Sequence, residues 1–256
     1  MSTQFQVAQV QVEVHHNKDL LGQAAASLVG NHLRRCLAEK GQARLVLATG
    51  ASQYEFLTAL LQEKDIAWEK VTAFHLDEYI GLSEDHPASF RRYLRERVFD
   101  HLSFAAVHLL DGTASDANAE AQRYQALLAE APIDIACIGI GENGHLAFND
   151  PPADFETSDL VHVVELDEAC RNQQVGEGHF ASFADVPTHA LSMSIPAILA
   201  ADIISCVVPD ERKADAVSCS LEGPISPTCP GSALRNHQQC VLFLDSGSAS
   251  RLKKGG

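Results

Sequence analysis

Apolar residues recur at helical spacing between Lys18 and Glu39, where Leu21, Ala25, Leu28, Val29, Leu33, Cys36 and Leu37 share a side and Gly41 supplies a stop. The period then changes. Leu45 to Ala48 is a short, wholly apolar run broken by Thr49-Gly50-Ala51-Ser52, and a second helical pattern follows in Tyr54, Leu57, Leu60 and Leu61. The same reading predicts strands over Val71 to Leu76, Ile133 to Ile140, Val161 to Leu166, Ala190 to Ile195, Ile203 to Val208 and Val241 to Leu244. Helices are predicted over Ala88 to Phe99, Ala117 to Leu128 and Arg212 to Leu221. Strands that are apolar throughout and separated by helices indicate an α/β fold, with a mostly parallel sheet covered on both faces.

No repeat, low-complexity tract or linker interrupts the chain, so one domain spanning residues 1–256 is expected. With 46% hydrophobic and 21% charged residues it can bury a substantial core, which excludes disordered and fibrous classes. The 19 Lys and Arg against 34 Asp and Glu give a net charge of -15, a field that repels nucleic acid and anionic lipid. A small anion can still bind locally, at a helix N-terminus or beside a well-placed cation. Seven cysteines without Cys-x-x-Cys or zinc-type Cys/His spacing read as free thiols, and no metal is expected. Residues 1–15 lack a basic segment followed by an apolar core, and the longest uncharged stretch, Val186 to Ala201, contains Pro187, His189 and Pro196. A cytoplasmic protein that neither spans nor coats a membrane is expected.

In open α/β sheets ligands bind beyond the carboxyl ends of the strands, so the loops after Ala48, Leu76, Ile140 and Val208 carry the candidate chemistry. Thr49-Gly50-Ala51-Ser52 offers a glycine for close backbone approach, two hydroxyls and a following helix, which suits a phosphate as well as plain capping. Asp77-Glu78 places two carboxylates at a strand end, where one can act as a general base on carbon or both can be turn residues. Gly139 to Pro151 combines Gly139, Gly141 and Gly144 with His145, and Asn143 and Asp150 are polar neighbours able to orient that ring. Lys213 opens the last helical stretch, an electrostatically poor place for a cation unless an anion lies nearby.

Thr49 to Ser52, His75 to Leu82, His86 to Phe90, Gly139 to Pro151, Lys213-Ala214 and Glu222-Gly223-Pro224 occur in the order found in glucosamine-6-phosphate deaminases, and the chain resembles that family over nearly its whole length. The resemblance implies a Rossmann-like α/β sheet and conversion of glucosamine 6-phosphate to fructose 6-phosphate and ammonia, without metal or organic cofactor. It implies that Asp77 is the base moving a proton between carbons 2 and 1, and that His145 opens the sugar ring, held by Asn143 and Asp150. It assigns Thr49, Gly50, Ala51, Ser52, Glu78, Gly144 and Lys213 to substrate binding, with a small phosphorylated amino sugar as partner.

Three departures stand out. Many members carry Asp at Asn143 and Glu at Asp150, which changes the charge and reach around the histidine. The family's arginine before the aromatic Phe180 is replaced by Gly178-His179, with Arg171 the nearest substitute in sequence. The stretch Asp154 to Asp159 is acidic where members activated by an amino-sugar phosphate are basic, so no such activation is expected. The polar segment Arg171 to Asp185 is a candidate lid. Alternatives are a galactosamine-6-phosphate deaminase, a 6-phosphogluconolactonase and a non-catalytic sugar-phosphate sensor. The lactonase fits less well, because Tyr79 stands where it usually carries Arg and Phe148-Asn149 is untypical of it.

Overall fold

The computed structural model describes residues 2–253 apart from 177 and 179. A hairpin of β1 (Thr3–Val7) and β2 (Val10–His15) leads into α1 (Lys18–Lys40), β3 (Ala43–Leu47), α2 (Tyr54–Leu60), β4 (Val71–His75) and β5 (Asp77–Tyr79). Next come α3 (Phe90–Leu94), β6 (Ala106–His108), α4 (Ala117–Ala129), β7 (Ile135–Ile138), β8 (Val161–Glu165) and α5 (Glu168–Gly176). The chain ends with β9 (His189–Met193), α6 (Ile195–Leu199), β10 (Ile203–Val208), α7 (Ala214–Glu222) and β11 (Cys240–Asp245).

Eight strands form one sheet in the order β1-β2-β11-β10-β7-β3-β4-β6, parallel throughout except for the β1–β2 hairpin at its edge. Apolar runs without polar alternation follow from burial on both faces. Leu45 and Leu47 of β3 belong to the buried layer that holds α1 and α2, while Val46 and Ala48 belong to the opposite layer with Tyr124 and Leu128 of α4. Likewise Ile135 and Cys137 serve one layer and Ala136 and Ile138 the other. Asn17 caps α1 by accepting from the Leu20 N–H at 2.9 Å, and Gly41 ends it with φ of 75°, as expected for a left-handed stop.

The expected architecture holds; the β1–β2 hairpin, β5, β6, α5 and α6 were not expected, and the predicted elements differ in two further respects. The strands near 161–166 and 190–195 do not join the main sheet: β8, β9 and β5 make a separate antiparallel sheet in the order β5-β9-β8. The predicted helix over 88–99 is a short α3 followed by one π-helical turn, Arg95–Phe99. Strand order reverses at β3: β4 and β6 lie on one side, while β7, β10 and β11 lie on the other. That reversal opens a crevice above the carboxyl ends of β3 and β7. Among the described residues, no helix is long and apolar enough to cross a membrane.

Candidate active site

A cleft with about 830 Å³ of open space, mouth included, lies over this crevice. Thr49, Gly50, Ala51 and Ser52 line it from the loop after β3, Asp77 from the start of β5 just past the carboxyl end of β4, His145 from the loop after β7, and Lys213 from the loop after β10. Four separate loops thus converge because parallel strands all point their carboxyl ends the same way.

The 49–52 loop turns at Gly50, whose φ of 95° favours glycine, and its carbonyl accepts from the Tyr93 hydroxyl at 2.8 Å. The buried Gln53 side chain donates toward Ser52 Oγ (3.3 Å) and the carbonyl of Val207 (3.4 Å), tying this loop to the end of β10. Lys213 is only 6% exposed and shares the cleft with Lys18 and Arg212, so three cationic side chains stand around the loop. Lys18 and Arg212 both pair with Asp210, at 3.3 Å each. Asp210 itself has φ of 88°, a conformation that costs free energy in a residue with a side chain. It is held there by capping the Arg212 N–H at 3.1 Å while its own N–H donates to Asp245.

Asp77 and Glu78 are adjacent but occupy opposite faces, as successive strand residues must. The Asp77 side chain faces the cleft, buried, and accepts no hydrogen bond from the described residues. Burial holds its carboxyl well above the ordinary carboxylate value, and the charge of Glu78 adds to the effect. Glu78 is fully buried and does not line the cleft. Its oxygens accept from Ser89 Oγ (3.0 Å) and from the N–H groups of Phe90 (3.2 Å) and Arg91 (2.9 Å) at the start of α3, and it pairs with Arg91 Nε at 3.3 Å. The resemblance put Glu78 with the substrate-binding groups; the geometry gives it to the fold, where it fixes the strand that carries Asp77.

His145 Nδ1 lies 3.0 Å from Asp150 Oδ1, leaving Nε2 toward the cleft. Asn143 Nδ2 donates to the same Asp150 oxygen at 3.0 Å, and Asn143 Oδ1 accepts from the His145 N–H at 3.0 Å, closing a small ring of contacts. Burial raises the Asp150 carboxyl, but the donors from His145, Asn143 and Asp167 outweigh it and hold the group below its ordinary value. Asn143, Asp150 and Gly144 therefore sit behind the histidine rather than on the cleft wall. Gly141 lies directly over the imidazole, so close that a methyl group there would overlap the ring. The Phe148-Asn149 pair is an anchor: Asn149 Nδ2 donates to the carbonyls of Leu146 (2.7 Å) and Met193 (2.8 Å), and the Phe148 N–H donates to Ser192 Oγ at 3.1 Å.

His145, Asp150 and Cys170 bring ligand-type atoms within 4.8 Å of one another. Burial pushes the Cys170 thiol far up and so keeps its proton, and the facing atoms of His145 and Asp150 are already joined, which fits a metal poorly. The candidate lid takes in the later part of α5, from which Gln173 and Gln174 line the cleft. Arg171 does not reach the cleft: it donates to the carbonyls of Phe183 (3.0 Å) and Val186 (2.9 Å) and covers the Phe183 ring. His179 lies outside the described residues. Gln173, Gln174, Lys18 and Arg212 carry no local motif, and only the fold brings them to the cleft.

Residues 16–243 match the family model described as glucosamine-6-phosphate isomerases/6-phosphogluconolactonase. The chain is 39% identical over 208 residues to the glucosamine-6-phosphate deaminase of Streptococcus suis (strain 05ZYH33), covering 81% of this chain and 87% of that one. It is 40% identical, over the same shares, to the glucosamine-6-phosphate deaminase of Listeria innocua serovar 6a. A solved structure described as a monomeric glucosamine-6-phosphate deaminase superposes with a TM-score of 0.86 at 34% identity, covering 93% of this chain and 98% of that one. A 6-phosphogluconolactonase structure from Shewanella baltica gives 0.77 at 21% identity over 95% and 100% of the two chains, a likeness of fold.

Proposed function

The chain belongs to the family of glucosamine-6-phosphate isomerases and 6-phosphogluconolactonases, and from that membership and the cleft we propose that it is a glucosamine-6-phosphate deaminase. The observation that carries the reading is one cleft holding an unpartnered carboxylate, Asp77, and a carboxylate-oriented imidazole, His145, with a Gly/Ser loop and Lys213 also on its wall.

The phosphate is taken by the 49–52 loop and Lys213, whose backbone N–H groups, hydroxyls and ammonium suit an oxyanion. His145 gives a proton to the ring oxygen as the carbon 1 hydroxyl loses one, producing the open-chain amino aldehyde. Asp77 removes the proton from carbon 2 and returns it to carbon 1. Meanwhile the carbon 1 oxygen gains a proton and the nitrogen loses one, so the aldehyde becomes a hydroxymethyl group and the amine an imine. Water adds to carbon 2 and ammonia leaves, giving fructose 6-phosphate in a net hydrolysis. A carboxyl whose affinity for protons is raised by burial suits this shuttle, because it must hold the proton between the two carbons. Asp150 holds the imidazole at Nδ1 and so presents Nε2 to the cleft, where His145 acts as the acid. The acidic chain and its free thiols, six buried and Cys219 exposed, suit a reducing cytoplasm.

The test is release of ammonia and fructose 6-phosphate from glucosamine 6-phosphate, with galactosamine 6-phosphate in parallel and Asp77→Asn as control. Both products from one sugar, lost in the control, are expected. No ammonia from either sugar, with both still bound, refutes the reading.

A further inference from the structure

Helix α5 buries two of its described residues, Cys170 and Gln174, which stand four apart and so share one face. Cys170 touches the His145–Asp150 pair, its sulfur and their ligand atoms lying within 4.8 Å of one another. Gln174 follows one helical turn later, 6% exposed, and lines the cleft beside the reacting groups. Its amide makes no hydrogen bond to the described residues. The polar groups around it are engaged: Gln173 Oε1 accepts from the Glu142 N–H at 3.1 Å, and Asp150 takes both His145 and Asn143. An amide that lines the cleft and bonds to none of the described residues is open to a ligand group, which its one acceptor and two donors can complete.

We propose that Gln174 is a specificity-determining residue whose amide reads the adjacent hydroxyls on carbons 3 and 4 of the sugar phosphate, and with them the configuration at carbon 4. The proposal rests on the deaminase reading, which already commits the other walls. The phosphate occupies the 49–52 loop and Lys213, carbons 1 and 2 face Asp77, and the ring oxygen faces His145. The two remaining hydroxyls need partners from α5. A side-chain amide offers one acceptor and two donors in a fork, the complement of two neighbouring hydroxyls, and adds no charge beside the phosphate. Inverting carbon 4 moves one hydroxyl off the fork, and a site built to hydrogen-bond a hydroxyl discriminates strongly against its misplacement.

The experiment compares wild type with Gln174→Met, which keeps the length and removes the amide, using glucosamine 6-phosphate and galactosamine 6-phosphate. Calorimetric binding of inorganic phosphate reports whether the loop and Lys213 remain intact. The expected result is a loss in kcat/KM of about 10- to 100-fold for the preferred epimer, little change for the other, and unchanged phosphate affinity. The ratio between epimers then falls toward one. Equal losses for both epimers, or no loss, overturn the proposal. If Gln174→Met does not fold, Gln174→Asn, whose amide is withdrawn by one methylene, must lower the same ratio or the proposal fails. Absence of ammonia from either sugar with wild type defeats the deaminase reading instead, so the two failures are distinguishable.

Discussion

Replacing Gly141 by alanine separates catalysis from folding. The added methyl carbon would stand well inside 3.0 Å of three ring atoms of His145, Nε2 the nearest, whereas ordinary contact begins at 3.4 Å. Backbone is not the obstacle, since Gly141 lacks the left-handed φ that would itself demand glycine. The imidazole must swing away by about 1 Å or more, and the 3.0 Å contact from its Nδ1 to Asp150 stretches with it. Displacement of a catalytic group by that amount costs about 100-fold in rate, or about 2.7 kcal/mol of transition-state stabilisation. The ring is the far end of a side chain and can yield, so the fold loses no more than the lower end of an overpacking cost, about 1 kcal/mol. Steady-state ammonia release and a thermal melt read the two effects. The expected outcome is kcat reduced about 100-fold with a KM within a few-fold of wild type. A variant with wild-type kcat refutes the placement of His145 as the acid beneath Gly141.

Asp77→Asn is expected to lower kcat by at least about 10³-fold and, at neutral pH, to raise the melting temperature. The sign follows from the raised carboxyl: its folded proton affinity exceeds the unfolded one, so its stabilising contribution is complete below the unfolded value near pH 4 and is lost as pH rises through the folded value. The melting difference between variant and wild type should therefore widen with rising pH; a constant difference would contradict the assignment. Glu78→Gln breaks a buried pair with Arg91 and costs about 3–5 kcal/mol, seen as a melting temperature lower by roughly 10 °C. The same change removes a negative neighbour of Asp77, so the acid limb of kcat/KM should move to lower pH, measured on the folded variant.

The sheet was legible because a strand buried on both faces needs apolar residues at every position, as β3, β7 and β10 have. The candidate site was legible where its residues are contiguous, in the 49–52 and 139–151 loops, whose glycines and polar groups stand out locally. Contiguity misled at Asp77-Glu78, since the period of a strand sends neighbours to opposite sides and only the docking of α3 shows which side is solvent-accessible. The hairpin at the start was missed, although Val10-Gln11-Val12-Glu13-Val14 alternates as a strand with one covered face does. Gln174 was read only as part of the candidate lid at 171–185, and Lys18 not as a cleft residue at all. Their helices reach the cleft through packing over long sequence separations, and no spacing in the chain encodes that.

The small antiparallel sheet explains how two groups from distant loops hold a working separation. Asp77 pairs with Ser192 across β5 and β9, and the carbonyl of the preceding Leu76 accepts from the Met193 N–H at 2.8 Å. The loop of His145 is pinned to the same two residues, through Phe148 N–H to Ser192 Oγ and Asn149 Nδ2 to the Met193 carbonyl. Base and acid are thus both referenced to one dipeptide of β9, rather than across the crevice where the two halves of the main sheet diverge. A proton shuttle between adjacent carbons requires tolerances well below 1 Å in the groups that serve it. Short hydrogen-bonded paths to a common anchor supply that tolerance.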